Sequence, residues 1–214
     1  MLTRILAAAV ALPVFIVLVW LGGMPLNLAL GLLAAIAGWE LYRSCGIKSI
    51  WFYIVFILFV VALASVSVIR QVYDLWLVWL IFIAAWGCDT GAYFVGRAIG
   101  KRKLAPVISP KKTVEGAIGG VVIAASLCVL YALILNHFEI WLFDSHYYLW
   151  FAAFGAFGAV LGQAGDLSAS AVKRKVGIKD YGNIMPGHGG VLDRFDSIIF
   201  VAPYTVLFLE YMLG

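Results

Sequence analysis

The stretch SIWFYIVFILFVVALASVSVI, residues 49–69, contains no charged residue and is apolar over nearly its whole length. A helix of about 20 apolar residues is long enough to cross the roughly 30 Å hydrocarbon core of a bilayer. Residues 49–69 therefore predict a transmembrane helix, and a soluble core has no use for an apolar run of this length.

The rest of the chain has the same character. Its 214 residues are 64% hydrophobic and 12% charged, whereas soluble domains carry about 25% charged residues. The amino-terminal run lacks a clear small-residue cleavage site, so it is interpreted as a retained span and not as a signal peptide. Hydropathy predicts an all-α polytopic membrane protein of about seven transmembrane helices, at residues 5–22, 25–42, 49–69, 75–96, 116–135, 147–171 and 194–213.

The distribution of Lys and Arg predicts the orientation. With the amino terminus inside, 14 of the 15 basic residues fall on the cytoplasmic side and only Arg70 falls outside, which is the asymmetry of the positive-inside rule. The prediction is N-in and C-out. Three spans form an amino-terminal part, residues 1–70. A catalytic part, residues 71–214, carries two polar cytoplasmic segments, residues 97–115 and 172–193.

Charge is concentrated in the second of these segments. Residues 173–196, KRKVGIKDYGNIMPGHGGVLDRFD, hold eight of the 26 charged residues of the chain. An ionisable side chain at the end of a span is costly and indicates a functional site. Four carboxylates stand at such positions: Asp89, Asp166, Asp193 and Asp196.

Helical spacing groups these carboxylates with other polar side chains. Asp89, Tyr93 and Arg97 share one face of a helix, and Asp166, Ser170, Lys173 and Arg174 share one face of another. Asp193 and Asp196 are three residues apart, so both can face one ligand from the first turn of the last helix.

Two structural explanations remain open for the last pair. Either Asp can cap the helix, or either can form an ion pair with Arg194 or Lys173. The functional explanation is metal binding. Oxygen ligands without a Cys or His cluster favour a hard cation such as Mg²⁺, with phosphate among its other ligands.

Features typical of phosphate binding lie in both polar segments. In SPKKTVEG, residues 109–116, a helix is expected after Pro110, capped by Ser109 or Thr113, with Lys111 and Lys112 beside its amino terminus. In the second segment a Gly-rich turn leads into a helix. Attraction of basic loops to anionic headgroups is the alternative. His188 is left open as an acid–base group, a loop anchor or a phosphate donor.

The polar residues together resemble the signature of the phosphatidate cytidylyltransferase (CDP-diacylglycerol synthase) family. The resemblance is carried by Ser170, Lys173, Arg174, Lys179, Asp180, Gly182, Pro186, His188, Gly189, Gly190, Asp193, Arg194, Phe195 and Asp196, and upstream by Asp89, Thr90, Tyr93, Gly96, Arg97, Gly100, Lys101 and residues 109–116. Met185 departs mildly from the pattern. The resemblance covers residues 75–210.

The resemblance implies transfer of a cytidylyl group from CTP to phosphatidic acid, giving CDP-diacylglycerol and pyrophosphate in phospholipid biosynthesis. It implies Mg²⁺, with a second cation that can be monovalent, held by Asp166, Asp193 and Asp196. The residues expected to act in catalysis are Asp166, Asp193, Asp196, Lys173 and Arg174. Those expected to bind substrate or phosphate are Asp89, Tyr93, Arg97, Ser109, Lys111, Lys112, Thr113, Ser170, Lys179, His188, Gly189, Gly190 and Arg194.

The expected partners are CTP, phosphatidic acid and membrane lipids, with no nucleic acid and with homodimerisation left open. The expected location is the bacterial cytoplasmic membrane, with the active site facing the cytoplasm. The chain is shorter than typical bacterial members of the family, so one or two amino-terminal spans are expected to be absent.

Two other functions compete. A CTP-dependent lipid kinase of the polyprenol or phytol type would yield a phospholipid without cytidine. A membrane transporter would place its charges near the middle of the bilayer, often between inverted repeats, whereas here they gather at one surface.

Overall fold

The protein is built almost entirely of helices. The computed structural model describes residues 2–182 and 189–213, with the side chains of residues 10–182 and 189–213. In chain order the elements are α1 Leu2–Leu21, α2 Gly23–Cys45, α3 Ile50–Val68 continued by a π-helical turn Ile69–Tyr73, α4 Leu75–Ile99, strands β1 Lys103–Ala105 and β2 Ser109–Thr113, α5 Val114–His137, α6 Tyr147–Val176, α7 Leu192–Phe195 and α8 Ile198–Leu213.

Most of these helices match the predicted spans. Among the residues that the structure describes, five helices are long and apolar enough to cross a membrane: α2, α3 with its π turn, α4, α5 and α6. Helix α8 and the Val10–Leu21 part of α1 are apolar but shorter. The chain is therefore a polytopic helical membrane protein, as predicted.

The two polar segments are shorter than predicted and are folded differently. Helix α4 continues to Ile99, and α6 continues to Val176, where Gly177 ends it with a φ of 81°. Gly177 adopts the left-handed conformation that commonly terminates helices, because glycine has no Cβ to clash. The first segment outside the helices therefore covers residues 100–113, and the described residues of the second are 177–182 and 189–191.

A small β-hairpin that was not predicted precedes α5, and α5 itself begins after Pro110 as expected, at Val114. Strands β1 and β2 pair antiparallel, with Lys103 opposite Thr113 and Ala105 opposite Ser109. The expectation that Ser109 or Thr113 caps the following helix is confirmed for Thr113, whose Oγ1 accepts a hydrogen bond from the Gly116 N–H at 3.1 Å. Among residues 2–182 and 189–213, the regular elements are thus helical except for this two-stranded ribbon.

The last predicted span, residues 194–213, is divided in two. The short helix α7 ends at Phe195, and α8 begins at Ile198. Between them, Oδ1 of Asp196 accepts a hydrogen bond from the Ser197 N–H at 2.9 Å. Asp193 therefore lies in α7 and Asp196 in the turn between α7 and α8, so neither belongs to the first turn of α8.

Small residues bring α4, α5 and α6 into close contact. A Cβ added to Gly120 would lie 2.7 Å from the carbonyl oxygen of Cys88 on α4, and one added to Gly155 would lie 2.7 Å from the carbonyl oxygen of Ala124 on α5. Such near-contact between backbones is typical of membrane helix packing, where small residues line the interfaces. These helices form the wall on which the polar residues are placed.

Side-chain hydrogen bonds show which helix ends meet. At one end of the bundle, Arg70 Nε donates to the Val19 carbonyl at 2.6 Å, and the Tyr73 hydroxyl donates to Glu210 at 2.5 Å. This end joins the carboxyl ends of α1 and α8 to the π turn that follows α3. We call it the far end.

The opposite end collects the polar residues. There Gln163 of α6 donates to the Ala117 carbonyl of α5 at 3.0 Å, and Glu40 of α2 accepts from the Val191 N–H at 3.1 Å. We call this end, formed by the carboxyl ends of α2, α4 and α6, the hairpin, the amino end of α5, and residues 189–197, the polar end. Consecutive long helices run in opposite directions between the two ends.

The close approach of α5 and α6 predicts an asymmetry between two Gly→Ala substitutions. Gly155→Ala would force a methyl group against the α5 backbone, and we expect a loss of about 1–3 kcal/mol of stability from overpacking. Gly31→Ala is the matched control, because a Cβ on Gly31 of α2 meets nothing within 4 Å and alanine favours helix by up to about 1 kcal/mol. Thermal unfolding in detergent should show a lower midpoint for Gly155→Ala only; equal midpoints would contradict the packing described.

Candidate active site

A polar cavity of about 390 Å³ opens at the polar end between α4, the hairpin, α5 and α6. Its walls come from several elements: α4 supplies one face of its last turns, β2 supplies its last three residues, and α6 supplies Gln163 and Asp166. The cavity is lined by Asp89, Ala92, Tyr93, Gly96, Arg97, Leu104, Lys111, Lys112, Thr113, Gly116, Ala117, Gln163 and Asp166.

The two adjacent lysines of β2, Lys111 and Lys112, differ in exposure. Side chains alternate between the faces of a strand; accordingly Lys112 is half-buried within the cavity and Lys111 is exposed at its edge. Glu115 fastens the approach to the hairpin, since its carboxylate accepts the Lys101 N–H at 3.0 Å and the Arg102 N–H at 3.2 Å. Hydrogen bonds from the backbone of Lys101 and Arg102 to Glu115 therefore hold the basic segment beside the cavity.

Lys112 forms an ion pair with a carboxylate across the cavity. Its Nζ contacts Oδ2 of Asp166, and both side chains are about three-quarters buried, with 23% and 24% exposure. Ser170 donates to the other oxygen of Asp166 at 3.4 Å. Asp89 lies beside Lys112, Asp166 and Ser197. The structure thus joins Asp89 of α4, Lys112 of the hairpin and Asp166 of α6, and Asp89 and Asp166 are 77 positions apart in the sequence.

A second cluster lies where α6 meets the turn before α8. Lys173 Nζ is 2.8 Å from Oδ1 of Asp193 and 3.8 Å from Oδ2 of Asp196. The Lys173–Asp193 pair is buried, with 9% and 4% side-chain exposure. The ammonium group also lies 5.4 Å from the centre of the Tyr181 ring. Ion pairing with Lys173, one of the structural alternatives for these Asp residues, is therefore present.

Asp193 also organises the polar segment around it. Its Oδ2 accepts hydrogen bonds from the Tyr181 N–H at 2.8 Å and the Gly190 N–H at 3.0 Å. Gly189 has a φ of 83°, and a Cβ there would lie 3.0 Å from the same oxygen. The backbone around Gly189 and Gly190 is thus shaped to fit a carboxylate of the chain.

Asp196 connects the two clusters electrostatically. It lies between α7 and α8, near the Asp166 carboxylate as well as the Lys173 ammonium group. Asp89, Asp166, Asp193 and Asp196 bring four negative charges when ionised, against two positive charges on Lys112 and Lys173. The arrangement has an excess of negative charge, which a bound cation would relieve.

The remaining predicted residues lie around this centre. Arg97 donates to the Tyr93 hydroxyl at 3.4 Å on the exposed rim, and Arg174 is exposed and donates to the Ile178 carbonyl at 3.2 Å, close to the end of α6. Lys179 and Arg194 are exposed. Ser109 is half-buried at the start of β2. His188 lies outside the described residues.

Two polar residues of the polar end were not predicted. Gln163 lines the cavity one turn before Asp166, and its amide also lies 3.2 Å from the Cys88 sulfur. Glu40 contacts the polar segment from α2. Glu40 lies within the predicted span 25–42, and an ionisable residue there is itself an indication of function. For Gln163 the indication was helical spacing from Asp166.

Comparison with known proteins gives a consistent result. Residues 43–212 match the model of the cytidylyltransferase family. The chain is 48% identical over 127 residues to the phosphatidate cytidylyltransferase of Bacillus subtilis (strain 168), and the match covers 59% of this chain and 45% of that protein. It is 46% identical over 132 residues to that of Staphylococcus haemolyticus (strain JCSC1435), covering 61% of this chain and 48% of that protein. It is 44% identical over 130 residues to that of Staphylococcus aureus (strain COL), covering 60% of this chain and 46% of that protein. The chain spans about half the length of the curated relatives it matches.

Proposed function

The chain belongs to the cytidylyltransferase family, and we propose on that basis that it transfers the cytidylyl group of CTP to phosphatidic acid, forming CDP-diacylglycerol and pyrophosphate. The observation that carries the proposal is the cavity at the polar end, where buried carboxylates and a lysine stand at the end of membrane-spanning helices. Relatives with 44–48% identity bear the name of this activity.

A second cavity suits the lipid part of such a substrate. An apolar groove of about 620 Å³ lies along α4 and α5 and includes Trp86, Thr90, Phe94, Ile123 and Leu127. Helices α4 and α5 also line part of the polar cavity. A phospholipid whose phosphate reaches the polar cavity could place an acyl chain along these helices, so the pair of cavities matches an amphiphilic substrate.

The reaction makes few demands on acid–base chemistry. A phosphate oxygen of phosphatidic acid attacks the α-phosphorus of CTP, and the bond between the α-phosphorus and the bridging oxygen breaks to release pyrophosphate. A phosphate monoester is already largely ionised near pH 7, since its second pKa is about 6. The residues would therefore act mainly by aligning the two phosphates and neutralising charge.

Lys112 is the residue best placed for the phosphates. Its ammonium group lies within the cavity and now pairs with Asp166, and Lys111, Arg97 and Thr113 stand on the lining. We propose that Lys112 binds the triphosphate and that Lys111 and Arg97 supply charge at the rim. Lys173 forms an ion pair with Asp193, so it would stabilise the carboxylates and not contact the phosphates.

The carboxylates fit a divalent cation. In the part of the chain that the structure describes, no three His, Cys, Asp or Glu side chains are close enough to hold a metal alone; Mg²⁺ is commonly held by one or two carboxylates together with substrate phosphates. We propose that the cation is held by one or two carboxylates of the set Asp166, Asp193 and Asp196 together with substrate phosphates, with Asp89 in support. Mg²⁺ bound there would neutralise phosphate charge and the excess negative charge of the cluster.

We propose seven spans with the polar end facing the cytoplasm of a bacterial cell, in the cytoplasmic membrane. The alternating direction of the long helices supports this topology, and so does the position of the basic residues of the hairpin at the polar end. CTP is soluble in the cytoplasm, and the cavity would then open towards it at the depth of lipid headgroups.

The activity is tested by giving the purified protein phosphatidic acid, radiolabelled CTP and Mg²⁺ and identifying the lipid product by mass. We expect CDP-diacylglycerol, and we expect Asp196→Asn to lower turnover by about 100-fold or more, the loss seen when a charge-stabilising group is removed. Asp144→Asn, an exposed carboxylate near the far end, is the control. A phospholipid product without cytidine would indicate a lipid kinase, and no product would overturn the proposal.

The cavity also predicts unequal roles for three lysines of the hairpin. Lys112→Ala should raise the KM for CTP most, Lys111→Ala less, and Lys103→Ala least, because Lys103 is exposed on β1 and does not line the cavity. Headgroup attraction alone would give three similar losses that salt screens. The measurement is the CTP dependence of the rate at two ionic strengths, and equal effects of the three substitutions would argue against phosphate binding by Lys112.

Orientation is tested by single cysteines placed at positions 102, 178 and 140 after the three native cysteines are replaced. Positions 102 and 178 belong to the polar end, and position 140 follows α5 at the far end. An impermeant thiol reagent should label positions 102 and 178 only from the cytoplasmic side and position 140 only from outside. Labelling of 102 and 140 from one side would be incompatible with the seven-span topology.

A further inference from the structure

A buried carboxylate from the amino-terminal part of the chain reaches the polar end. Glu40, near the carboxyl end of α2, is 2% exposed. Burying a carboxylate is costly unless hydrogen bonds compensate. Glu40 precedes residues 43–212, which match the family model, so that match assigns it no role.

The hydrogen bonds of Glu40 go to the backbone that precedes α7. Oε1 accepts the Val191 N–H at 3.1 Å, and Oε2 accepts the Leu192 N–H at 3.3 Å. The N–H group just before them, that of Gly190, donates to Asp193 at 3.0 Å. Three successive backbone N–H groups are therefore bound by two buried carboxylates of the chain itself.

The glycines of the segment fit closely around Glu40. A Cβ added to Gly190 would lie 2.5 Å from Oε2 of Glu40, and one added to Gly182 would also overlap the Glu40 carboxyl group. The sequence predicted that this Gly-rich turn binds phosphate. In the structure the carboxylates of Glu40 and Asp193 contact its described N–H groups, so Gly182 and Gly190 have a reason to be glycine that involves no ligand.

We propose that Glu40 is a positioning residue that fixes the backbone of residues 190–192 and thereby places Asp193 and Asp196 for cation binding. Asp193 follows Leu192 directly, and Asp196 lies one helical turn further on. A shift of the backbone at Val191 and Leu192 would move Asp193 away from Lys173, whose Nζ lies 2.8 Å from Oδ1 of Asp193. The kinetic consequence rests on the proposed activity and the effect on cation binding rests on the proposed ligands, whereas the effect on the backbone rests on neither.

The first test uses hydrogen exchange of the detergent-solubilised protein. Glu40→Ala removes both acceptors, so peptides containing Val191 and Leu192 should exchange about tenfold faster or more. Glu40→Gln keeps one acceptor oxygen and should show a smaller increase. Peptides from α4 and α5 should not change. The control is Glu210→Gln, which removes an exposed carboxylate at the far end and should leave residues 190–192 unaffected.

The second test measures cation binding directly, with Mn²⁺ as the probe and electron paramagnetic resonance as the readout. Glu40→Gln should weaken Mn²⁺ binding by about tenfold, a modest misplacement of the carboxylates, and should raise the Mg²⁺ concentration needed for half-maximal rate more than the KM for CTP. Glu210→Gln should change neither.

The outcomes separate the possibilities. Unchanged exchange at residues 190–192 in both Glu40 variants would overturn the proposal, and so would faster exchange with unchanged Mn²⁺ binding, which would leave Glu40 a purely structural role. If Glu40→Ala does not fold, Glu40→Gln decides. If the wild-type protein makes no CDP-diacylglycerol, the proposed function fails, while exchange and Mn²⁺ binding still decide the role of Glu40.

Discussion

The buried ion pair between Lys173 and Asp193 is the contact on which the polar end depends. The Asp193 carboxylate forms an ion pair with the Lys173 ammonium group of α6. It also accepts hydrogen bonds from the N–H groups of Tyr181 and Gly190 in the segment that follows α6. Removing one partner of such a buried pair typically costs 3–5 kcal/mol, because the other charge is left uncompensated. One side chain thus joins a membrane-spanning helix, a glycine-rich segment and the turn that carries Asp196.

This arrangement makes structural and chemical requirements difficult to separate. A charged side chain in an apolar bundle must be hydrogen-bonded or paired. Lys173 and Asp193 pair with each other, and Asp193 and Glu40 also accept hydrogen bonds from backbone N–H groups of the polar segment. The charges that hold the backbone in place therefore stand beside those proposed to bind a cation. Asp166 and Asp196 are the less constrained members, since Asp166 is the more exposed and Asp196 is 3.8 Å from its nearest ammonium group.

The sequence was sufficient to predict the helices and most of the centre. Long apolar runs identified the spans, and the predicted orientation of those spans put Asp89, Lys112 and Asp166 on the same side. The hairpin was not predicted, because a three-residue and a five-residue strand rich in lysine give no alternating pattern of apolar residues. Glu40 was missed for another reason: its partners are backbone N–H groups about 150 positions away, and backbone groups leave no trace in a sequence.

The ion pair between Lys112 and Asp166 has a consequence for how ligands enter. Each ion occupies the place that a ligand of the same charge would take: a cation approaching Asp166 must compete with the ammonium group, and a triphosphate approaching Lys112 must compete with the carboxylate. Either ligand alone leaves one ion of the pair without its partner. When both bind, the two ions exchange partners and charge balance is kept. For the proposed substrates this makes nucleotide and metal binding mutually reinforcing, a positive thermodynamic coupling that acts equally in both directions.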